Sequence, residues 1–113
     1  MSLRAHFFLA FLLAPLAALA QAPSALDLFV RPDKGSCIAC HQLPEGRGPA
    51  TRADVGPRLE GARMRAMGRD ALRQSLVDPT LANPDTVMPP YGRHRILERD
   101  EIERLVEFLH ALP

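Results

Sequence analysis

Two cysteines and a histidine form one tight motif, Cys37-Ile38-Ala39-Cys40-His41, in the first half of this chain of 113 residues. On one turn of helix, residues i and i+3 lie on the same side. Cys37 and Cys40 can therefore reach two reactive groups along one edge of a planar ligand, and His41 is left to point over its face. This is the attachment pattern of a c-type haem, in which the imidazole binds the iron as the proximal ligand. The motif therefore predicts a covalently attached haem.

Two other kinds of site use closely spaced cysteines, and the sequence argues against both. A thioredoxin-like pair needs no following histidine and usually opens a helix in an alternation of strands and helices, which this sequence does not show. A zinc site needs two more ligands at a recognisable spacing. The chain has two cysteines in all, and its other histidines are scattered: His6, His94 and His110.

The N-terminus has the pattern of a secretory signal peptide. A short polar start precedes an apolar run from Phe7 to Leu19, and small residues alternate around Ala20 and Ala22. We predict a signal peptide over residues 1–20, cleaved after Ala20 or Ala22, and a single periplasmic domain over residues 21–113. An uncleaved anchor is the alternative, although the run is shorter than the roughly 20 apolar residues of a membrane span.

The charges of the chain nearly balance, with 14 Lys+Arg against 13 Asp+Glu. Nucleic-acid binding is therefore not supported, because its electrostatic footprint would be a strong basic excess. One stretch departs from this balance, since residues 58–73 contain five arginines: Arg58, Arg63, Arg65, Arg69 and Arg73. A solvated helix face is the simpler interpretation, and a docking surface for an acidic partner is the alternative.

The apolar periodicity predicts three helices, over residues 23–30, 69–77 and 97–112. Residues 42–55 and 80–90 are punctuated by proline and glycine and are predicted to be loops. The last helix has the most regular apolar stripe: Ile102, Leu105, Val106 and Leu109. The sequence therefore predicts a small domain of helices and loops.

Two residues around the motif, Gly35 and Pro57, are expected to support the haem. Gly35 would allow the backbone before Cys37 to approach the ring closely. Gly56 and Pro57 form a turn after the motif, and the carbonyl of Pro57 can accept the imidazole N–H of His41. Such a hydrogen bond fixes a ligating ring and raises its basicity.

Met88 is the predicted distal ligand of the iron. It lies in a loop that two following prolines stiffen, and its thioether sulfur is a soft ligand that raises the reduction potential. His94, close to the same loop, is the main alternative. Met64 and Met67 are more typical of gap-filling methionines than of ligands. An iron left open on its distal side is the remaining alternative.

The order of these features resembles a class I cytochrome c over essentially the whole mature chain. Within that class the chain is similar to the SoxX family, the monohaem subunit of the SoxAX thiosulfate-oxidising complex. The narrower resemblance is carried by Lys34 to His41, by Leu76-Val77-Asp78-Pro79, and by Asn83 to Gly92, which contains the sequence Met-Pro-Pro-Tyr-Gly. Ser36 is a departure, since asparagine is expected there.

The resemblance implies a small all-α cytochrome c fold around one covalent haem c, bound through Cys37, Cys40, His41, Met88 and Pro57. It implies a heterodimer with a SoxA-type monohaem or dihaem subunit, and no stable membrane insertion. This chain would be a non-catalytic electron-transfer subunit of an L-cysteine S-thiosulfotransferase complex, passing electrons from thiosulfate oxidation to a downstream cytochrome. No residue resembles a catalytic acid, base or nucleophile. A free-standing electron shuttle to an oxidase or reductase is the alternative.

Overall fold

The computed structural model of the protein describes residues 20–113. The signal peptide predicted for residues 1–20 lies outside this part of the chain, except for Ala20. No helix in the described part is long and apolar enough to cross a membrane.

Between residues 20 and 113 the chain forms three α-helices, α1 (Ala25–Val30), α2 (Gly61–Val77) and α3 (Arg99–His110), and no β-strand. Short 3-10 turns connect them. One cluster of buried apolar side chains joins all three helices and the segment that follows α3. Its most deeply buried members are Leu28, Phe29, Leu105, Val106 and Leu112. The predicted all-α class is confirmed.

A capping box begins α1. Ser24 Oγ accepts a hydrogen bond from the backbone N–H of Asp27 at 3.1 Å, and the Asp27 carboxylate accepts from the Ser24 N–H at 2.9 Å. Leu28 and Phe29 are buried, and the Phe29 ring lies 6.4 Å from that of Phe108. The predicted helix is confirmed, although the apolar pattern did not select Leu28 for the core.

A glycine interrupts α2. Gly68 has φ +79° and ψ 163°, a conformation that only glycine adopts readily, and it divides the helix into two segments. The helix predicted over residues 69–77 is the second segment. The first segment, residues 61–67, was not predicted, because its alternating arginines and small residues give no regular apolar stripe. The helix ends at Asp78, before Pro79, as expected for a residue that precedes proline.

The last helix, α3, is the one that the sequence specified best. The backbone N–H of Glu98 donates to the Glu101 carboxylate at 2.8 Å and closes its first turn. The apolar stripe predicted from the sequence is buried: Ile102, Leu105, Val106 and Leu109.

Two arginines of α2 bind glutamates of α3. The guanidinium of Arg69 lies 2.7 Å from Glu107, and that of Arg73 lies 2.6 Å from Glu103. Both pairs are bidentate, so each holds the two packed helices in one register. These two guanidiniums of the arginine-rich stretch are therefore paired with carboxylates of the same chain.

One ion pair connects the segment before the cysteine motif to α3. Lys34 Nζ lies 2.8 Å from Glu101 Oε2, and Glu101 is only 7% exposed. Burial alone would raise the pKa of the Glu101 carboxyl. The Lys34 ammonium and the backbone N–H of Glu98 outweigh that effect and hold the pKa below its ordinary value. The chain just before Cys37 is thus fixed on the start of α3.

We expect the substitution Lys34→Met to lower the free energy of unfolding of the haem-loaded protein by about 1–3 kcal/mol at pH 7, because it leaves a buried carboxylate without its cation. The lowered pKa of Glu101 gives a stabilisation that is complete above its ordinary value of 4.5 and is lost as the pH falls below it. Denaturant unfolding from pH 7 to pH 3 should therefore show a steeper loss of stability in the wild type than in Glu101→Gln.

Glu107→Gln is the matched control, since Glu107 pairs with an arginine on the exposed surface. Exposed pairs contribute less than buried ones, so its unfolding free energy at pH 7 should change less than that of Glu101→Gln. Equal losses in the two variants would contradict the role given to the Lys34–Glu101 pair.

Candidate haem site

The two cysteines lie on and directly after one 3-10 turn, Cys37–Ala39. The backbone N–H of Cys40 donates to the carbonyl of Cys37 at 3.1 Å, and that of His41 donates to the same oxygen at 2.8 Å. Side chains at i and i+3 eclipse one another in a 3-10 turn. Both thiols therefore project from the same side of the chain, and both line the same cleft.

The environment of Cys37 differs from that of the reactive cysteine in a redox-active pair. Neither Cys37 nor Cys40 is in a disulfide. Burial raises the pKa of the Cys37 thiol to about 11, whereas the reactive cysteine of a thioredoxin-like motif has a lowered pKa. The turn thus presents a buried Cys37 thiol to an apolar space, which fits a role as an attachment point better than a role in disulfide exchange.

The imidazole of His41 is oriented by Pro57. Its Nδ1 lies 2.7 Å from the Pro57 carbonyl oxygen. A carbonyl oxygen can only accept, so Nδ1 carries the proton and Nε2 keeps its lone pair. This is the tautomer that a metal-ligating histidine requires, and the hydrogen bond fixes the orientation of the ring. Pro57 therefore lies where the sequence analysis expected it.

Gly56 provides the space that the imidazole needs. Its backbone N–H donates to the carbonyl of Cys40 at 2.8 Å and draws this segment against the cysteine turn. A Cβ on Gly56 would lie under 3.0 Å from three atoms of the His41 ring. The requirement for glycine here comes from this close approach and not from an unusual backbone angle.

These groups open onto a cleft of about 260 Å³ between the cysteine turn, α2 and residues 86–91. Its walls are formed largely by apolar side chains: Phe29, Leu59, Leu72, Leu76, Leu105 and Leu109. Binding sites for large planar cofactors are lined in this way. Two thiols, an imidazole with a free Nε2 and several thioethers face the same apolar space, so the residues present fit a covalently attached haem.

Three methionines line the cleft, whereas His94 is exposed and is not among its lining residues. Met64 is packed into the core at 2% exposure, and Met67 lies on α2 just before Gly68. Met88 lies in the loop that closes the cleft and is partly buried. This arrangement favours a thioether over His94 as distal ligand, and Met88 remains the predicted one.

The loop that carries Met88 is tied to itself and to the end of α2. The backbone N–H of Met88 donates to Thr86 Oγ1 at 3.1 Å. Four residues later, the N–H of Gly92 donates to the carbonyl of Leu76 at 3.1 Å. A Cβ on Gly92 would lie 2.9 Å from the Cα of Val77, so glycine allows the loop to lie directly on the helix. These contacts fix the position of the Met88 backbone.

A buried carboxylate strengthens this junction. Asp78 accepts hydrogen bonds from the backbone N–H of Thr80 at 3.1 Å, from its hydroxyl at 2.5 Å, and from the Arg93 guanidinium at 2.9 Å. The hydrogen bonds from Thr80, with a smaller effect of the Arg93 charge, hold the pKa of Asp78 below its ordinary value. The end of α2 is thereby joined to the residues that follow the Met88 loop.

Tyr91 is a cleft residue that the sequence analysis missed. It is buried, and its hydroxyl lies 3.4 Å from the carbonyl oxygen of Gly35. Burial raises the pKa of Tyr91 to about 12. Gly35 has φ +99°, and a Cβ there would overlap the Tyr91 ring. Glycine at this position therefore lets the backbone before Cys37 pack directly against the Tyr91 ring, and the approach of Gly35 to a porphyrin stays a prediction. The available signal was that Tyr91 is the sole tyrosine of the chain and follows the Met-Pro-Pro sequence.

Comparison with known families gives one match. The sequence model of a family described as Cytochrome c matches residues 32–113. Every lining residue of the cleft lies within that range except Phe29. No curated protein gives a significant match to the chain.

We expect Gly56→Ala to displace the imidazole of His41 from the Pro57 carbonyl, because the added methyl group occupies the space of the ring. In the haem-loaded protein this should appear as a high-spin fraction in the absorption spectrum and as a loss of about 1–3 kcal/mol in the free energy of unfolding. Gly46→Ala is the control for the absorption spectrum, since a Cβ at Gly46 meets no atom within 4 Å. Its φ of +75° adds backbone strain, so its free energy of unfolding does not enter the comparison. An unchanged spectrum in Gly56→Ala would contradict the role given to Gly56.

Proposed function

The chain belongs to the cytochrome c family, and from that premise we propose that it carries one haem c, attached through Cys37 and Cys40 and ligated by His41 and Met88. Membership of the family implies a covalent haem and a role in electron transfer. The observation that carries the more specific proposal is that the cysteine turn, the free Nε2 of His41 and the loop of Met88 all face one apolar cleft.

The residues of the chain have distinct tasks in this proposal. The haem, once attached, supplies reversible one-electron exchange at its iron. Pro57 holds the His41 ring in one orientation and leaves Nε2 available to the iron. Met88 offers a soft thioether, which favours the reduced state and raises the potential. The leucines of the cleft exclude water from the ring, and the backbone bonds of the Met88 loop hold the ligand in place between oxidation states.

At a finer level, we propose that the chain is a SoxX-like subunit of a periplasmic thiosulfate-oxidising cytochrome complex. All three segments that carry the resemblance contribute cleft residues: Lys34 to His41, Asn83 to Gly92 and, through Leu76, the segment that ends at Pro79. The third, Leu76-Val77-Asp78-Pro79, forms the junction on which the Met88 loop rests. The resemblance is therefore concentrated in the segments that build the site, which is the support for this proposal.

The same proposal assigns the chain a partner, a place and a direction of electron flow. Its partner would be a SoxA-type cytochrome that performs the thiosulfate chemistry, and its acceptor a further cytochrome. The secretory pattern of residues 1–20 supports export to the periplasm. The catalytic step of the L-cysteine S-thiosulfotransferase would belong to the partner, and this chain would carry the released electrons away.

Replacing the predicted distal ligand tests the coordination. We expect Met88→Ala to remove the weak absorption band of a methionine-ligated ferric haem and to let carbon monoxide bind the reduced protein readily. The midpoint potential should fall, within the roughly 0.8 V span that axial ligation controls. His94→Ala is the matched control, because His94 is exposed and does not line the cleft.

An unchanged spectrum in Met88→Ala, or a spectrum that changes only in His94→Ala, would refute Met88 as the ligand. Ready binding of carbon monoxide to the reduced wild-type protein would instead indicate an open iron site and a different function.

Affinity purification tests the partnership. The tagged, haem-loaded protein is isolated under mild conditions from its own periplasm during growth on thiosulfate, with an untagged strain as control, and the bound proteins are identified by mass spectrometry. We expect a SoxA-type cytochrome in near-equal amount. Recovery of the chain alone with its haem intact would reject the partnership and indicate a free-standing electron shuttle.

A further inference from the structure

A second groove, of about 430 Å³, lies between the end of α2, the turn over residues 92–98 and the start of α3. It shares no lining residue with the haem cleft. Arg73 and Val77 line it from α2, whereas Leu72 and Leu76 of the same helix line the cleft. The two spaces therefore open on different faces of α2, and the proposed haem site makes no use of this groove.

The groove combines an apolar floor with charged sides. Leu97 and Ile102 are 2% and 4% exposed, and Val77 packs against the same core. Five charged residues also line the groove: Arg73, Arg95, Glu98, Arg99 and Glu103. Such a combination of buried apolar surface and charged surroundings is typical of a protein contact surface.

Two of the groove arginines have no ion-pair partner. Glu103 binds Arg73 in bidentate geometry, and the Glu98 carboxylate accepts a backbone N–H in the first turn of α3. The pKa of Glu103 is lowered mainly by its hydrogen bonds from Arg73, with a small contribution from the charge of Arg99. Arg95 and Arg99 are exposed and form no ion pair with a residue in the range 20–113.

The backbone of Arg95 has a conformation that arginine does not favour. Its φ of +56° lies in the left-handed region, where glycine and asparagine are more common. Its N–H donates to the carbonyl of Gly92 at 3.0 Å, which closes the turn. Arginine at this position thus strains the turn and gains no ion pair within residues 20–113. A side chain held in such a conformation indicates a task outside the fold.

We propose that this groove binds an acidic segment of a partner protein, whose carboxylates pair with Arg95 and Arg99 over the apolar floor. The planar fork of each guanidinium matches a carboxylate in bidentate geometry. A groove of about 430 Å³ is in the size range of sites that bind whole organic groups, and it is far larger than one inorganic anion. Its size and apolar floor therefore favour a stretch of peptide.

The groove is formed before a partner arrives. The N–H of Gly92 donates to the carbonyl of Leu76 at 3.1 Å, and that of Arg93 donates to the carbonyl of Val77 at 3.0 Å. These bonds hold the turn on α2, so binding does not have to order it. A segment bound here leaves the haem cleft uncovered, and anchoring of a partner and electron exchange therefore use different surfaces.

The test is a titration of the reduced, haem-loaded, ¹⁵N-labelled protein with a blocked peptide of alternating glutamate and leucine, followed by NMR. The proteins compared are the wild type, Arg95→Asn, Arg99→Gln and Arg47→Gln. Arg47 is the matched control, because it is exposed and lines neither the groove nor the cleft. A peptide with glutamine in place of glutamate and a titration with sodium sulfate at matched ionic strength complete the design.

We expect the acidic peptide to shift the amide signals of residues 92–99 and the glutamine peptide to leave them in place. Arg95→Asn and Arg99→Gln should each weaken binding about two- to fivefold, as expected for exposed charge pairs, and Arg47→Gln should not change it. Arg95→Asn should unfold at the same temperature as the wild type or higher, because asparagine adopts a positive φ more readily. Its weaker binding would then not result from a damaged fold.

Three results would overturn the inference. The first is an acidic peptide that leaves residues 92–99 unshifted or binds equally well to all four proteins. The second is sulfate that shifts the same signals as far as the peptide does, which would indicate a site for small anions only. The third is a lower unfolding temperature in Arg95→Asn, which would show that the arginine serves the fold.

Discussion

The hydrogen bond between the His41 imidazole and the Pro57 carbonyl is the constraint on which the site depends. It fixes the tautomer, so that Nε2 rather than Nδ1 faces the cleft. The bond can form only because Gly56 leaves the ring its space and because the Gly56 N–H binds the carbonyl of Cys40. The loop over residues 42–55 therefore returns to the cysteine turn at a defined point, and the site is closed on its proximal side.

The sequence predicted those parts of the site in which chemistry and spacing coincide. Cys37, Cys40 and His41 lie within five residues, so the local turn alone brings them together, and the 3-10 geometry keeps the spacing argument intact. Pro57 was predicted because a ligating imidazole needs an acceptor and a proline carbonyl follows the motif. The helix α3 was predicted in the same way, from the regular spacing of its apolar residues. In each case, residues close together in the sequence were sufficient for the prediction.

Contacts between distant segments were not predictable in this way. The Lys34–Glu101 pair and the packing of Tyr91 on Gly35 each join residues more than 50 positions apart. No local sequence pattern predicts such contacts. The first segment of α2 was missed for a different reason, because the break at Gly68 removes the continuous periodicity that identifies a long helix. At Ser36, the structure explains an expectation that came from the sequence. Its φ of +44° lies in the left-handed region, which asparagine adopts more readily than serine, and asparagine is the residue expected there.

The arginines of residues 58–73, which form one basic stretch in the sequence, have different partners in the structure. From the sequence, a solvated face is the simpler interpretation of its excess charge, and a docking surface is the alternative. In the structure, α3 supplies carboxylates at Glu103 and Glu107, and a backbone carbonyl near the end of the chain satisfies Arg65. These arginines therefore form local contacts that hold α2 on α3, and they do not form a uniform basic surface. Because α2 also forms one wall of the cleft, the same ion pairs keep that wall in position.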